Sequence, residues 1–552
     1  MKKVLSFIIA LSVVASVFTA CGPQQQSDMG TLEVTGITLS DDGILVGGEA
    51  ASADPSSAVY VSNDIVFYLE GQGSEYGEGT EDEEHSQEEA DRHTVINITQ
   101  PGSYMVSGSL SHGQIAVNLG DDAKKDPSAV VNITLNDVDL TCTVAPAIIC
   151  YKAYECGSDD AATATKDVDT SRAGFNITIA DGSVNNISGS HVARIYEPGT
   201  TDKLHKYDAA IESLVSFNIC GNDGVLNLTS DNEGIETKLH MTINGGELNI
   251  NSQDDALNAG EDGVSVITIN GGQILANANN GAEGDGIDSN GWVVINDGYV
   301  SSFASEKSMD SGLDSDNGIY INGGTVFATG AMYDRISAES QRTYMVLNMD
   351  MWVYGEEYLV MKSSAGTARA GFKSTADFKV MVYSSPLLVE DDYTLYKAET
   401  ITGESLNGIF ANITETAGEV QLAHRGGGNA TRPGKGGTMP AKPEVDMPQA
   451  DRPQGETPQI PDRGEMPEDM KYFTPPQGFA DTEPPQEFKD NMPQWDTTPD
   501  ENGKPIGFGG EGKFDFQNIT QGNFSFGAAT EPVFSMKAGA NMFSGVAQLV
   551  TE

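Results

Sequence analysis

The sequence predicts an all-β chain whose main body is a right-handed parallel β-helix of about 26 residues per rung, with a C-terminal antiparallel β cap and disordered insertions. Three observations predict it. The segments TINGGELNI, TINGGQILA, VINDGYVSS and YINGGTVFA place Asn244, Asn270, Asn296 and Asn322 at steps of 26 residues, three times running. Each asparagine follows an isoleucine (Ile243, Ile269, Ile295, Ile321), with Met241, Ile267, Val293 and Ile319 two residues before it. Four residues after the asparagines stand Leu248, Ile274, Val300 and Val326. Alternate residues of a strand share a face, so these columns point one way and their neighbours the other. Like side chains stacked at a fixed period fill the interior of a parallel β-helix, whose rungs lie about 4.8 Å apart. Leucine-rich repeats share the period but need an L-x-x-L-x-L core, which is missing; nonapeptide rolls are shorter in period and propeller blades longer.

Taken in order, MKKVLSFIIALSVVASVFTAC reads as a secretory signal: two lysines, an apolar run from Val4 to Phe18, then small residues before Cys21. A cysteine directly after the small residue resembles a bacterial lipobox, which makes Cys21 the lipidated first residue of an extracytoplasmic, membrane-anchored chain at the cell surface. Residues 22–92 are acidic and Gly/Ser-rich and read as a flexible linker with short strands; SEYGEGTEDEEHSQEEAD (74–91) is a solvated charge run. The β-helix is expected over 93–335. VVNITLNDVDLTC (130–142), FNITIADGSVNNI (175–187) and IESLVSFNICGNDGVLNLTS (211–230) read as earlier rungs, with Ile219 in the isoleucine column. After about 335 the period is lost, and 336–424 reads as the antiparallel cap. Fifteen of the 23 prolines fall between 425 and 510, so 425–515 reads as a Gly/Pro-rich low-complexity insertion, with 516–552 returning as a strand of the cap.

Composition narrows the partners. With 31 basic against 81 acidic residues and a net charge of −50, the surface repels nucleic acid and anionic lipid, leaving the anchor as the membrane contact. Anionic polysaccharide is repelled too, unless a cation lies between. Cys142, Cys150, Cys156 and Cys220 allow three pairings, and export makes one or two disulfides the expectation.

The candidate chemistry stands at the corners. Upstream of each repeat asparagine lies an acidic turn: NEGIETK (232–238), QDDALNAGEDG (253–263), GDGIDSNG (284–291) and SMDSGLDSDNG (308–318). In three of them the apolar residue (Ile235, Ile287, Leu313) sits nine before the asparagine; in the other, Leu257 sits thirteen before, which fits a four-residue insertion at AGEDG. Stacked turns would crowd Asp254, Asp255, Glu261, Asp262, Asp285, Asp288, Asp310, Asp314 and Asp316 into a column, and carboxylates at that spacing need a proton or a cation. A hard cation taking roughly six to eight oxygens suits them, so Ca2+ is the expected cofactor. EF-hand spacing is not met, and zinc lacks histidine or thiolate here. Bare Asp/Asn/Gly corners facing water are the alternative. Trp292, Tyr299 and Tyr320 fall on or beside the same rungs, the two tyrosines in outward columns, and such rings suit sugar faces; ordinary sheet surface is the alternative.

ITINGG-type strands after DGI- or DAL-type turns, GSYMVSGSLSHGQIAVNL (102–119) and the final FSMKAGANMFSGV resemble the bacterial cell-surface carbohydrate-binding domain family. The resemblance covers roughly 93–424 and the last twenty or so residues. It implies a calcium-containing, polysaccharide-lyase-like parallel β-helix that binds cellulose-like and acidic plant polysaccharides without catalysis. By position, it carries calcium to the turns 253–263, 284–291 and 308–318 only. The rivals are a lyase or hydrolase on the same scaffold and a surface adhesin or stalk. A lyase needs a base, but no arginine stands between Arg194 and Arg335, and neither Lys238 nor Lys307 recurs.

Overall fold

A computed structural model of the chain describes residues 34–69, 84–196, 203–278, 281–282, 284–355, 357–429 and 529–549. The described residues all belong to one compact unit. The predicted signal peptide, Cys21 and the Pro-rich stretch from 430 lie outside the described residues.

The chain is all-β, with strands in large mixed sheets; the described residues add a four-residue helix, Gln87–Ala90, and a short turn, Ala123–Lys125. Three parallel ladders carry the repeats. The first stacks Phe175–Ile179, Phe217–Cys220, His240–Ile243, Val266–Ile269, Trp292–Ile295 and Gly318–Ile321. Its register aligns Ile177, Ile219, Ile243, Ile269, Ile295 and Ile321, every one of them fully buried. The second runs from Val225–Ser230 to Thr325–Gly330 and aligns Leu226, Leu248, Ile274, Val300 and Val326. The third aligns Ile115, Ile148, Ile211, Ile235, Leu257 and Ile287, so Leu257 takes its place despite the longer turn after it.

Burying one such aliphatic side chain contributes roughly 1.5–3 kcal/mol, and the columns form one continuous apolar core. The asparagine period has its own cause. Asn270 donates to Asn244, Asn296 to Asn270 and Asn322 to Asn296, each from Nδ2 to Oδ1 at 2.9 Å. The glycine two places on (Gly246, Gly272, Gly298) has φ near +95 to +99°, a left-handed turn that glycine takes without strain.

Beyond the repeats, Phe378–Ser384 lies antiparallel on Thr325–Gly330, the last repeat strand of the second ladder. Tyr344–Val353 pairs with Phe378–Ser384, and Ala540–Gln548 runs parallel to Tyr344–Val353.

The structure corrects three expectations. Residues 34–69 are not linker: Val34–Leu39 pairs in parallel with Gly102–Leu110, and Ile37, Val59, Ile65 and Phe67 are buried. Strand pairing and core burial override the acidic composition there. Gly426–Asn429, inside the expected insertion, forms a strand on Ala540–Gln548. Cys142, Cys150 and Cys156 are free, so no two of the four cysteines pair with each other, while Cys220 is disulfide-bonded; burial makes Cys142 and Cys150 small core residues. Burial pushes the Cys142 and Cys156 thiols up to about 12 and Cys150 higher still, which leaves them unreactive.

Candidate functional site

In the third ladder the acidic turns share one local plan: Glu233-Gly-Ile-Glu236, Asp255-Ala-Leu-Asn258, Asp285-Gly-Ile-Asp288 and Ser311-Gly-Leu-Asp314. The small residue has no room to grow, since a Cβ on Gly286 would lie 2.1 Å from Ser302 Oγ. The apolar residue is buried. Register pairs Glu236 with Asn258 and Asn258 with Asp288, so neighbouring polar groups are held at strand spacing, about 4.8 Å. Asp314 N donates to Ile287 O at 2.8 Å, which carries the pattern one tier further.

Asp285, Asp288 and Asp314 converge: one carboxylate oxygen from each lies within 4.8 Å of the others. Backbone amides fix the surrounding acids. Asp285 N donates to Asp255 Oδ1 at 2.6 Å, Ser311 N to Asp285 Oδ1 at 2.5 Å and Gly284 N to Asp310 Oδ2 at 2.7 Å. Burial, followed by the charges of Asp314, Asp288 and Asp310, raises the Asp285 carboxyl well above the usual carboxylate range. Burial and then Asp314, Glu233 and Asp316 do the same to Asp288. Asp255 is raised by burial and then by Asp254, Asp288 and Asp285. Burial, then Asp334, Asp316 and Asp310, pushes Asp314 up to about 7. These acids repel one another at a corner whose donors are all oxygen, which fits a hard divalent cation such as Ca2+.

Two expected ligands stand elsewhere. Glu261 Oε2 lies 3.5 Å from Lys238 Nζ, and Asp262 Oδ1 accepts from Asn290 Nδ2 at 2.8 Å. Both sit in the turn after Leu257–Ala259, where the extra residues lead them to separate partners. Asp254 and Asp316 bear on the cluster through their charges on Asp255, and on Asp288 and Asp314.

The aromatics do not form one platform. Trp292 and Tyr320 share a face of the first ladder on adjacent strands, and Lys166 Nζ lies 5.1 Å from the Tyr320 ring centroid. Tyr299 belongs to the second ladder and packs against the core of the later strands, where burial and the nearby Tyr383 push its hydroxyl up to about 12. Its column faces outward from the repeats, as the alternation predicts, but the returning strands cover it.

Residues 92–381 match the family model described as "Carbohydrate-binding domain-containing protein". The chain belongs to this carbohydrate-binding family. Among solved structures it is similar to one described as "Structure of the polysaccharide lyase-like protein from C. thermocellum, Gadolinium derivative". The two are 18% identical with a TM-score of 0.30, over 53% of this chain and 90% of that one. No curated protein matches.

Within the segment that matches the family lies a second acidic group not expected from the sequence. Asp208, Glu233 and Glu236 also offer oxygens within 4.8 Å of one another, and all three residues are buried. The signal was present. NEGIETK carries Glu233 and Glu236 at the places of Asp285 and Asp288, and Asp208 opens DAAIE, whose Glu212 pairs in register with Glu236. Asp334, raised by burial, adds its charge to Asp314 from outside the quoted turns.

Proposed function

We propose that the chain binds polysaccharide without catalysis, assisted by calcium, as a lipid-anchored protein of the bacterial cell surface. The scaffold is read as a right-handed parallel β-helix, supported by the one-repeat register of the three ladders. The observation that carries the reading is the Asp285–Asp288–Asp314 cluster inside the segment that matches the carbohydrate-binding family. A cation held there offsets the local negative charge and leaves coordination positions for the hydroxyls or carboxylates of a cellulose-like or pectin-like glycan. Trp292 and Tyr320 add apolar surface for sugar rings on the first ladder.

The rival is a lyase or hydrolase on the same scaffold, favoured by the raised carboxyls. Its parts fit less well. The clustered oxygens are closer than the roughly 6.5–9.5 Å of an inverting carboxylate pair. Lys238, a candidate lyase base, is engaged by Glu261.

The test is retention of the full-length chain on polygalacturonate and on cellulose, with calcium and with chelator, while products are assayed. Calcium-dependent retention without released product supports the binding module. Unsaturated or reducing product makes the chain an enzyme, and indifference to both glycans moves the adhesin reading forward.

A further inference from the structure

Of the two polar columns in the third ladder, one is acidic throughout (Glu233, Asp255, Asp285) and the other is interrupted. Register aligns Glu212, Glu236, Asn258 and Asp288, so in this column a neutral amide stands between carboxylates, while Asp255 of the same tier keeps the other column acidic. On one side are Asp285, Asp288 and Asp314, half-buried. On the other are Asp208, Glu233 and Glu236, only 2%, 2% and 7% exposed.

Asn258 is itself 7% exposed, and its Nδ2 donates to Glu233 Oε1 at 3.0 Å, which orients the amide against the deeper group. The oxygen of that amide, and Oε2 of Glu236 beside it, are buried with no hydrogen-bond partner among the described residues. Buried acceptors are almost always satisfied, because stripping water from one without replacement is costly. Two such acceptors beside converging carboxylates call for a positive charge.

We propose that Asp208, Glu233 and Glu236 form a second divalent-cation site, with Asn258 Oδ1 as a neutral ligand, separate from the Asp285–Asp288–Asp314 site. The inference rests on reading the acidic corner as a cation-binding face. Calcium is the occupant the chemistry favours. The donors are carboxylate and amide oxygens from separate tiers, which suits its flexible shell, whereas magnesium keeps several waters that so buried a site has little room for. Asn258 then lends an uncharged oxygen to the deeper ion, in a tier whose other polar corner residue, Asp255, is already a carboxylate. This ion would tie three successive tiers from within and the shallower one would face the glycan, so the two differ in role.

The test strips the full-length chain with chelator, re-equilibrates it with calcium alone and counts bound ions by equilibrium dialysis, for wild type, Glu236→Gln, Asp288→Asn and the double variant. Each single variant is expected to lose one ion and the double variant two, with circular dichroism unchanged. If folded Glu236→Gln keeps the wild-type count while Asp288→Asn loses one, the second site is overturned and the first stands. If only Glu236→Gln loses an ion, the second site stands and the first falls. Should Glu236→Gln fail to fold, Asn258→Ala decides: a tenfold or greater weakening of one class of ion supports the site, and unchanged binding refutes it.

Discussion

The repeat ladders and the strands after residue 344 fill their interiors differently. The ladder core is mainly isoleucine, valine and leucine, stacked like on like. The later core is built from Phe372, Phe378, Tyr383, Phe534 and Phe543, with Met345, Met361 and Met381 between them, packed against Phe303 and Phe327 of the second ladder. A constant strand spacing lets one side-chain shape be reused, so small aliphatic columns suffice. Where antiparallel strands arrive from distant parts of the chain, the gaps are irregular, and large rings with adaptable thioethers fill them. The same constancy concentrates charge. In the repeats a carboxylate at one corner is copied to the next corner about 4.8 Å away, whether or not its charge is welcome there.

The largest expected effect comes from removing the cation. An ion at a thousand times its Kd stabilises the fold by about 4 kcal/mol per site, so chelation should lower the melting temperature sharply. The pH dependence should then reverse. In chelator the raised carboxyls favour the protonated folded state, so their contribution is complete below about pH 4 and fades as pH rises through the value near 7 of Asp314. With calcium, acid should destabilise instead, because protons displace the ion. Melting curves from pH 4 to 8 in both conditions check this, and parallel curves would mean that the corner binds no calcium.

Next, Ile295→Ala should cost about 3 kcal/mol, since the side chain is fully buried between Ile269 and Ile321. Urea unfolding measures it, and a loss under 1 kcal/mol would place slack in the column. Gly286→Ala should cost about 1–3 kcal/mol through the clash with Ser302 and Gly312, although alanine stands at the matching place in the tier of Asp255. Calcium titration of the same variant should show weakened binding, because Asp285 and Asp288 flank the strained residue. Smallest is Asn296→Ala, which removes one donated and one accepted amide bond on an exposed face and should cost about 1 kcal/mol. Its effect on calcium binding should be nil.

The comparison also explains what could be read without a structure. Ile219, Ile243, Ile269, Ile295 and Ile321 were legible as a column because register repeats with the text, and Leu257 survived a longer turn because the small–apolar pair travels with it. The convergence of Asp285, Asp288 and Asp314 was legible for the same reason. Residues 34–69 were not, because Val34–Leu39 finds its partner at Gly102–Leu110, some seventy residues on, and no local period announces that pairing. Tyr299 was placed on the correct face, but its cover comes from strands without a repeat. Glu261 and Asp262 looked like ligands by proximity in the text, yet Lys238 and Asn290 hold them elsewhere.

The asparagine chain, finally, has a direction. Asn322, Asn296 and Asn270 each donate to the amide of the N-terminal neighbour, so each of these tiers presents to the next the same acceptor that it met itself. Length is therefore a free variable of this architecture. Duplicating a block of 26 residues would lengthen each ladder by one strand and leave every strand interface chemically familiar. Adding one residue within a ladder strand would turn isoleucine outward and asparagine inward in all that follows. The ladders should accept whole repeats and reject fractions of one.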